Sequence, residues 1–148
     1  MLTIISFVIY IIISEYRSGN FNPIDPNKEA AQEAYKRGLA AERKKDYDLA
    51  IAEYTEAIRL GPNDNRFYYF KRAQLYNYRT REYDKAIADY KEYIRLDGSY
   101  LGYYIIGDIY FKLEDFANAI SYYEQSLQLK PNDSDVKKKL EIAKEKAR

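Results

Sequence analysis

The segment Asp46-Tyr47-Asp48-Leu49-Ala50-Ile51-Ala52-Glu53-Tyr54 returns as Glu82-Tyr83-Asp84-Lys85-Ala86-Ile87-Ala88-Asp89-Tyr90. It returns again, more loosely, as Asp115-Phe116-Ala117-Asn118-Ala119-Ile120-Ser121-Tyr122-Tyr123. Ala50, Ala86 and Ala119 lie 36 and 33 residues apart. A period in that range marks stacked repeats, in which each unit buries its apolar face only against its neighbours. In the first copy Tyr47, Ala50, Ile51, Tyr54, Ala57 and Ile58 fall at i, i+3, i+4, i+7, i+10 and i+11, one stripe of a helix. Leu60-Gly61-Pro62 ends that helix, because glycine caps it and proline cannot continue it.

Each copy is preceded by a second helical stretch. We read a first helix from about Asn27 to Lys44, with Asn27 as N-cap and Glu29 favourable in the first turn. The second unit pairs a helix at about Arg66–Tyr78 with one at Tyr83–Leu96, across a turn at Arg79–Glu82. The third pairs Tyr100–Lys112 with Phe116–Leu129. A final charged helix, Ser134–Ala147, has Val136, Leu140 and Ala143 on one face and reads as a polar cap on the stack. The chain therefore divides into an apolar segment at 1–14, a linker at 15–27, units at 28–64, 65–98 and 99–132, and a cap at 133–148.

These units resemble tetratricopeptide repeats. The third carries Tyr103, Ile106, Gly107, Tyr110, Ala119, Tyr123, Ser126 and Pro131 at the signature places. The first supplies Ala34, Gly38, Ala41, Ala50, Tyr54, Ala57 and Pro62; the second supplies Tyr69, Ala73, Tyr76, Ala86 and Tyr90. The second departs with Tyr93 at a small-residue place, Gly98 for proline, and one extra residue near Asn65 and another near Arg79. The resemblance implies an all-α, right-handed superhelical solenoid of antiparallel helix pairs. Gly38, Ala73 and Gly107 are then the close approach within each unit, with Ala50, Ala86 and Ala119 facing them.

Composition narrows the function. The chain has no cysteine and no histidine, which removes thiol nucleophiles, zinc–thiolate sites, the commonest general base and the commonest metal ligand. No glycine-rich phosphate loop is present, since Gly98-Ser99 and Gly102 do not make one. We therefore expect no enzyme, no cofactor and no metal. Net charge is +1 and evenly spread, without the basic excess of a nucleic-acid binder. Lys137–Lys139 is diluted by Asp133, Asp135 and Glu141 and reads as a solvated face.

Leu2 to Ile13 is a run broken only by Thr3, Ser6 and Tyr10. As a helix it would reach roughly 18 Å against a bilayer core of about 30 Å. No basic residue precedes it and no small-x-small cleavage site follows. Three readings stay open: a short or tilted membrane anchor, an atypical cleaved signal, and a helix packed on the repeats. They imply membrane-associated, exported or cytoplasmic locations respectively.

The resemblance also implies which first-helix positions face a concave groove. In the first unit they are Gln32, Tyr35, Lys36, Leu39, Glu42 and Arg43. In the second they are Phe67, Phe70, Lys71, Gln74, Asn77 and Tyr78, and in the third Leu101, Tyr104, Ile105, Asp108, Phe111 and Lys112. A groove that binds nothing should be polar. We take Tyr35, Leu39, Phe67, Phe70, Lys71, Tyr78, Leu101, Tyr104, Asp108 and Phe111 as the candidate peptide-binding set. Members that grip the acidic tails of Hsp70 or Hsp90 carry Lys, Asn, Asn, Lys and Arg at five clamp places. Here those places hold Tyr35, Leu39, Lys71, Leu101 and Ile105, so such a tail is not the expected ligand. The expected function is a protein-interaction scaffold that holds a partner peptide or helix. The alternative is a structural protein that self-assembles through repeat ends or the apolar N-terminus.

Overall fold

The computed structural model describes residues 9–11, 13–14, 26–63 and 65–148. Between 26 and 146 it contains seven α-helices: α1 (Pro26–Arg43), α2 (Tyr47–Leu60), α3 (Arg66–Leu75), α4 (Tyr83–Asp97), α5 (Tyr100–Lys112), α6 (Phe116–Leu129) and α7 (Ser134–Lys146). Each packs most extensively on its neighbours in sequence, the pattern of a solenoid. The pairs α1/α2, α3/α4 and α5/α6 are the three repeats, and α7 closes the stack.

The hairpin turns show how the repeats keep register. Lys45, Arg81 and Glu114 all adopt left-handed backbone, with φ of 62°, 58° and 60°. Each stands five residues before its unit's alanine, at the same point of the hairpin. In the first and third units the next residue's N–H bonds back five residues, Asp46 to the Ala41 carbonyl and Asp115 to that of Tyr110. This closes a Schellman-type cap. In the second unit Glu82 reaches back six residues to the Tyr76 carbonyl. The extra residue expected near Arg79 is there, absorbed by a single π-turn at Tyr76–Thr80. The sequence reading ends the α-helix at Tyr78, whereas regular α-helix stops at Leu75. Asp46 and Asp115 cap α2 and α6 by accepting from the Leu49 and Asn118 N–H groups.

The core is built from small residues and tyrosine rings. Ala34, Ala50, Ala57, Ala73, Ala86, Ala119 and Ala143 are fully covered, as are Tyr54, Tyr68, Tyr90 and Tyr123. One cluster joins Ala41, Ala50, Tyr54 and Leu75 across the first two units. Another joins Ala119 and Tyr123 to Val136, Leu140 and Ala143 of the cap. A Cβ on Gly38 would sit 2.4 Å from the Tyr54 ring, and one on Gly107 would sit 2.7 Å from the Tyr123 ring. The surface that needs glycine is thus the tyrosine four residues beyond the alanine, not the alanine itself. Tyr93, too large for its place by the repeat pattern, is buried and packs against Phe70, the two rings tilted with centroids 5.0 Å apart. Gly102 makes the space, since its Cβ would lie 3.2 Å from Tyr93 and 2.4 Å from Ile94.

Polar contacts fix the angle between units. Arg72 of α3 forks onto Asp89 of α4 at 2.7 and 2.8 Å and donates to Thr55 of α2 at 2.9 Å. Burial opposes the charge on Arg72, but the paired hydrogen bonds outweigh it and raise its pKa. The apolar segment Leu2–Ile13 lies largely outside the described residues. Those described at 9–14 are helical, and Ile9, Tyr10, Ile11 and Ile13 are exposed. Among the described residues no helix is long and apolar enough to cross a membrane.

Candidate functional site

First helices of successive units touch along one face. Lys71 of α3 approaches both oxygens of Glu42 on α1 at 3.4 Å. Lys112 of α5 lies 5.0 Å over the ring of Tyr78 in the π-turn. Lys139 of α7 grips Asp108 of α5 at 2.6 and 2.7 Å and donates to the Tyr104 hydroxyl at 2.8 Å. These contacts trace the face on which the candidate set was expected.

Most of that set turns inward. Tyr35 leans on the Tyr54 and Tyr68 rings at 5.6 and 5.2 Å, and Leu39 packs on the same cluster. Phe70 meets Tyr90 edge-on at 5.9 Å, and Leu101 and Tyr104 pack on the central core. Phe111 is braced by Phe116 at 5.4 Å. All six are half-buried. Ile105, expected in the groove, is buried in the core. The exposed members are Phe67, at 42%, and Tyr78, at 58%. Lys71 and Asp108 are partly buried and ion-paired. Aromatic character at these places therefore serves packing as much as exposure.

Beneath the face, tyrosines of the second helices reach up to polar partners. Tyr54 donates to Glu42 at 2.7 Å, and Tyr123 donates to Asp108 at 2.7 Å. Burial, and then these carboxylates, push both phenols well above the ordinary tyrosine range. Tyr90 is raised as well, first by burial. Its hydroxyl lies against the side chain of Asn77, which is only 3% exposed and offsets part of that rise, without the short bond to a carboxylate that Tyr54 and Tyr123 make.

Three helix-seven residues bear on this face, and the sequence reading missed them. Lys139 is half-buried on Asp108, not part of a solvated lysine run, and Ile142 lines a cavity of about 280 Å³ with Asp108, Phe111, Lys112 and Tyr123. Lys146 lies 5.9 Å over Phe116. A signal existed: Lys71, Ile105 and Lys139 are each 34 residues apart, so the repeat register continues into the cap. Among the described residues no group of carboxylates is arranged to hold a metal ion.

Family models of the tetratricopeptide repeat match residues 31–64, 68–100 and 102–133. The chain belongs to the tetratricopeptide repeat family. It is 36% identical to serine/threonine-protein phosphatase 5 of Mus musculus over 130 residues, 84% of this chain but 26% of the relative. The chain thus spans about a quarter of the length of the curated relatives it matches. It superimposes on the Arabidopsis OM64 tetratricopeptide domain with a TM-score of 0.67 at 25% identity, covering 80% of this chain and 98% of that one. It also superimposes on the first such domain of Spaghetti, solved bound to an HSP90 peptide. There the TM-score is 0.68 at 25% identity, covering 83% of this chain and 97% of that one.

Proposed function

We propose that the chain is a non-enzymatic adaptor that takes a segment of a partner protein on the face lined by α1, α3 and α5. The observation that supports this most is the pairing of exposed aromatic surface at Phe67 and Tyr78 with a rigid, packed floor beneath it. Fixed aromatic anchors lose little entropy on binding and dominate interface energetics. The Spaghetti domain shows that this fold carries a peptide ligand.

Phe70 and Tyr104 are poor probes of the idea, since their rings also hold the core. A photo-cross-linking residue at 67 or 78 should capture a specific partner from native cells, while the same residue at the exposed second-helix positions 49 and 91 should not. Equal capture at all four positions would sink the groove reading.

The ligand we infer is not a two-carboxylate tail. At the five clamp places Ile105 is buried, Lys71 is engaged by Glu42, and Tyr35, Leu39 and Leu101 carry no charge. Calorimetric titration with an HSP90 tail peptide tests this, and micromolar binding would overturn it. A second reading, self-association or membrane contact through the N-terminal run, draws on the exposed Ile9, Ile11 and Ile13. Sedimentation of the whole chain with and without detergent discriminates it.

A further inference from the structure

The face described above is not uniform along its length, and one end is built differently. At the first junction the cavity is lined by Leu39, Glu42, Arg43 and Lys71, three of them charged. The cavities near the hairpin turns, at 81–85 with Leu113 and at 37–53, are lined mainly by charged or polar side chains. The cavity between α5 and α7 has another character. Phe111, Tyr123 and Ile142 supply apolar walls, and Phe116 holds the Phe111 ring edge-on.

Its charges are also sorted. Asp108 lies at the wall, but Tyr123 and Lys139 both bond to it, so its charge is compensated within the protein. Lys112 stands at the rim with its ammonium over the Tyr78 ring, and no carboxylate of the described residues pairs with it. A ring face is a weak partner for an ammonium at an exposed site. That leaves the cation available to an arriving anion. An apolar hole of about 280 Å³ with one uncommitted cation on its lip has a definite complement.

We infer that this α5–α7 cavity is the anchor subsite of the groove. It takes a leucine- or isoleucine-type side chain of the partner segment, with a carboxylate next to that side chain met by Lys112. The inference rests on the adaptor reading above and names the partner chemistry. The π-turn contributes by carrying Tyr78 to the rim, where its ring meets the Lys112 ammonium.

Amide NMR titration of the full chain tests it with three small probes. Acetyl-leucine presents a terminal carboxylate, acetyl-leucyl-aspartic acid α-amide presents a side-chain carboxylate, and acetyl-leucinamide presents none. At least one carboxylate-bearing probe should shift the amides of residues 108–112 and 139–142. Which of the two binds more tightly says whether a chain terminus or an internal acidic residue is the source. Lys112→Glu, on an exposed side chain that no core contact needs, should weaken that probe about fivefold and leave the amide probe unchanged. Ile142→Asn should weaken all three. If no probe shifts 108–112 and 139–142, or if the amide probe binds as well as the acids, the subsite is refuted. Shifts confined to residues near Phe67 and Lys71 would refute the subsite while leaving the adaptor reading standing. No shift anywhere along α1, α3 and α5 would count against both.

Discussion

At the first junction Tyr54 donates to Glu42, and Lys71 of the next unit closes on the same carboxylate. At the last junction Tyr123 donates to Asp108, one helical turn earlier in its unit, and Lys139 of the cap closes on it. In the middle, Tyr90 faces Asn77, and Ile105 stands at the register position of the two lysines. The middle therefore lacks the carboxylate and the ammonium together, and Ile105 joins the core. A lone buried charge is strongly unfavourable, whereas an apolar replacement of the whole pair is tolerated. The central unit places its own buried ion pair, Arg72–Asp89, elsewhere in the hairpin. Solenoids can thus exchange polar for apolar linkage at one junction without altering the stack.

Alkaline pH should expose what the three junctions share. The phenols of Tyr54, Tyr90 and Tyr123 titrate above their unfolded value near 10. Above that pH the unfolded chain releases protons that the folded chain keeps, so stability is full below pH 10 and falls as pH rises. Each tyrosine contributes a slope of up to about 1.4 kcal/mol per pH unit. Urea midpoints between pH 9 and 12 measure it. Replacing any one of the three by Phe should reduce the slope by a similar amount, and an unchanged slope would break the parallel.

The ion pair of the middle unit comes next. Asp89→Ala leaves Arg72 buried without its partner and should cost about 3 kcal/mol in urea unfolding. Adding Arg72→Leu should recover most of that loss. Glycine sharpens the comparison further. Gly107→Ala presses a methyl group into Tyr123 and should cost about 2 kcal/mol, whereas the middle unit already carries Ala73 at that place.

The smallest effects discriminate most finely. Tyr54→Phe and Tyr123→Phe each remove a hydrogen bond to a carboxylate and should cost about 1 kcal/mol at neutral pH. Tyr90→Phe removes a hydroxyl that meets the neutral Asn77 side chain and no carboxylate, and should change stability by less than about 0.5 kcal/mol. Equal losses at all three would show that the middle junction is wired like its neighbours.

The scaffold was legible because packing imposes periodicity. Alanine spacing, the proline and glycine stops, and the amphipathic stripe place α5 and α6 at the residues observed. The candidate site was legible only as a set of positions. Sequence assigns Tyr35, Phe70 and Leu101 to the first helices, yet exposure depends on how far neighbouring units lean over them, and that is a tertiary quantity. Lys139 was hidden for a different reason: its run looks solvated, and only an acid 31 residues earlier makes it a strut. Tyr78 lies in the π-turn, whose extra residue the helical pattern alone does not orient.

That turn bears on how such a chain can vary. In an ordinary α-helix one inserted residue rotates everything after it by about 100°. In a structure made of copies, such a slip should propagate through every later unit. Here five residues take up the slip, and Arg81 returns to the same backbone conformation as Lys45 and Glu114. The turn works as a vernier. It lets the chain length at the groove change by single steps and re-aims a side chain such as Tyr78, while the units downstream keep their phase.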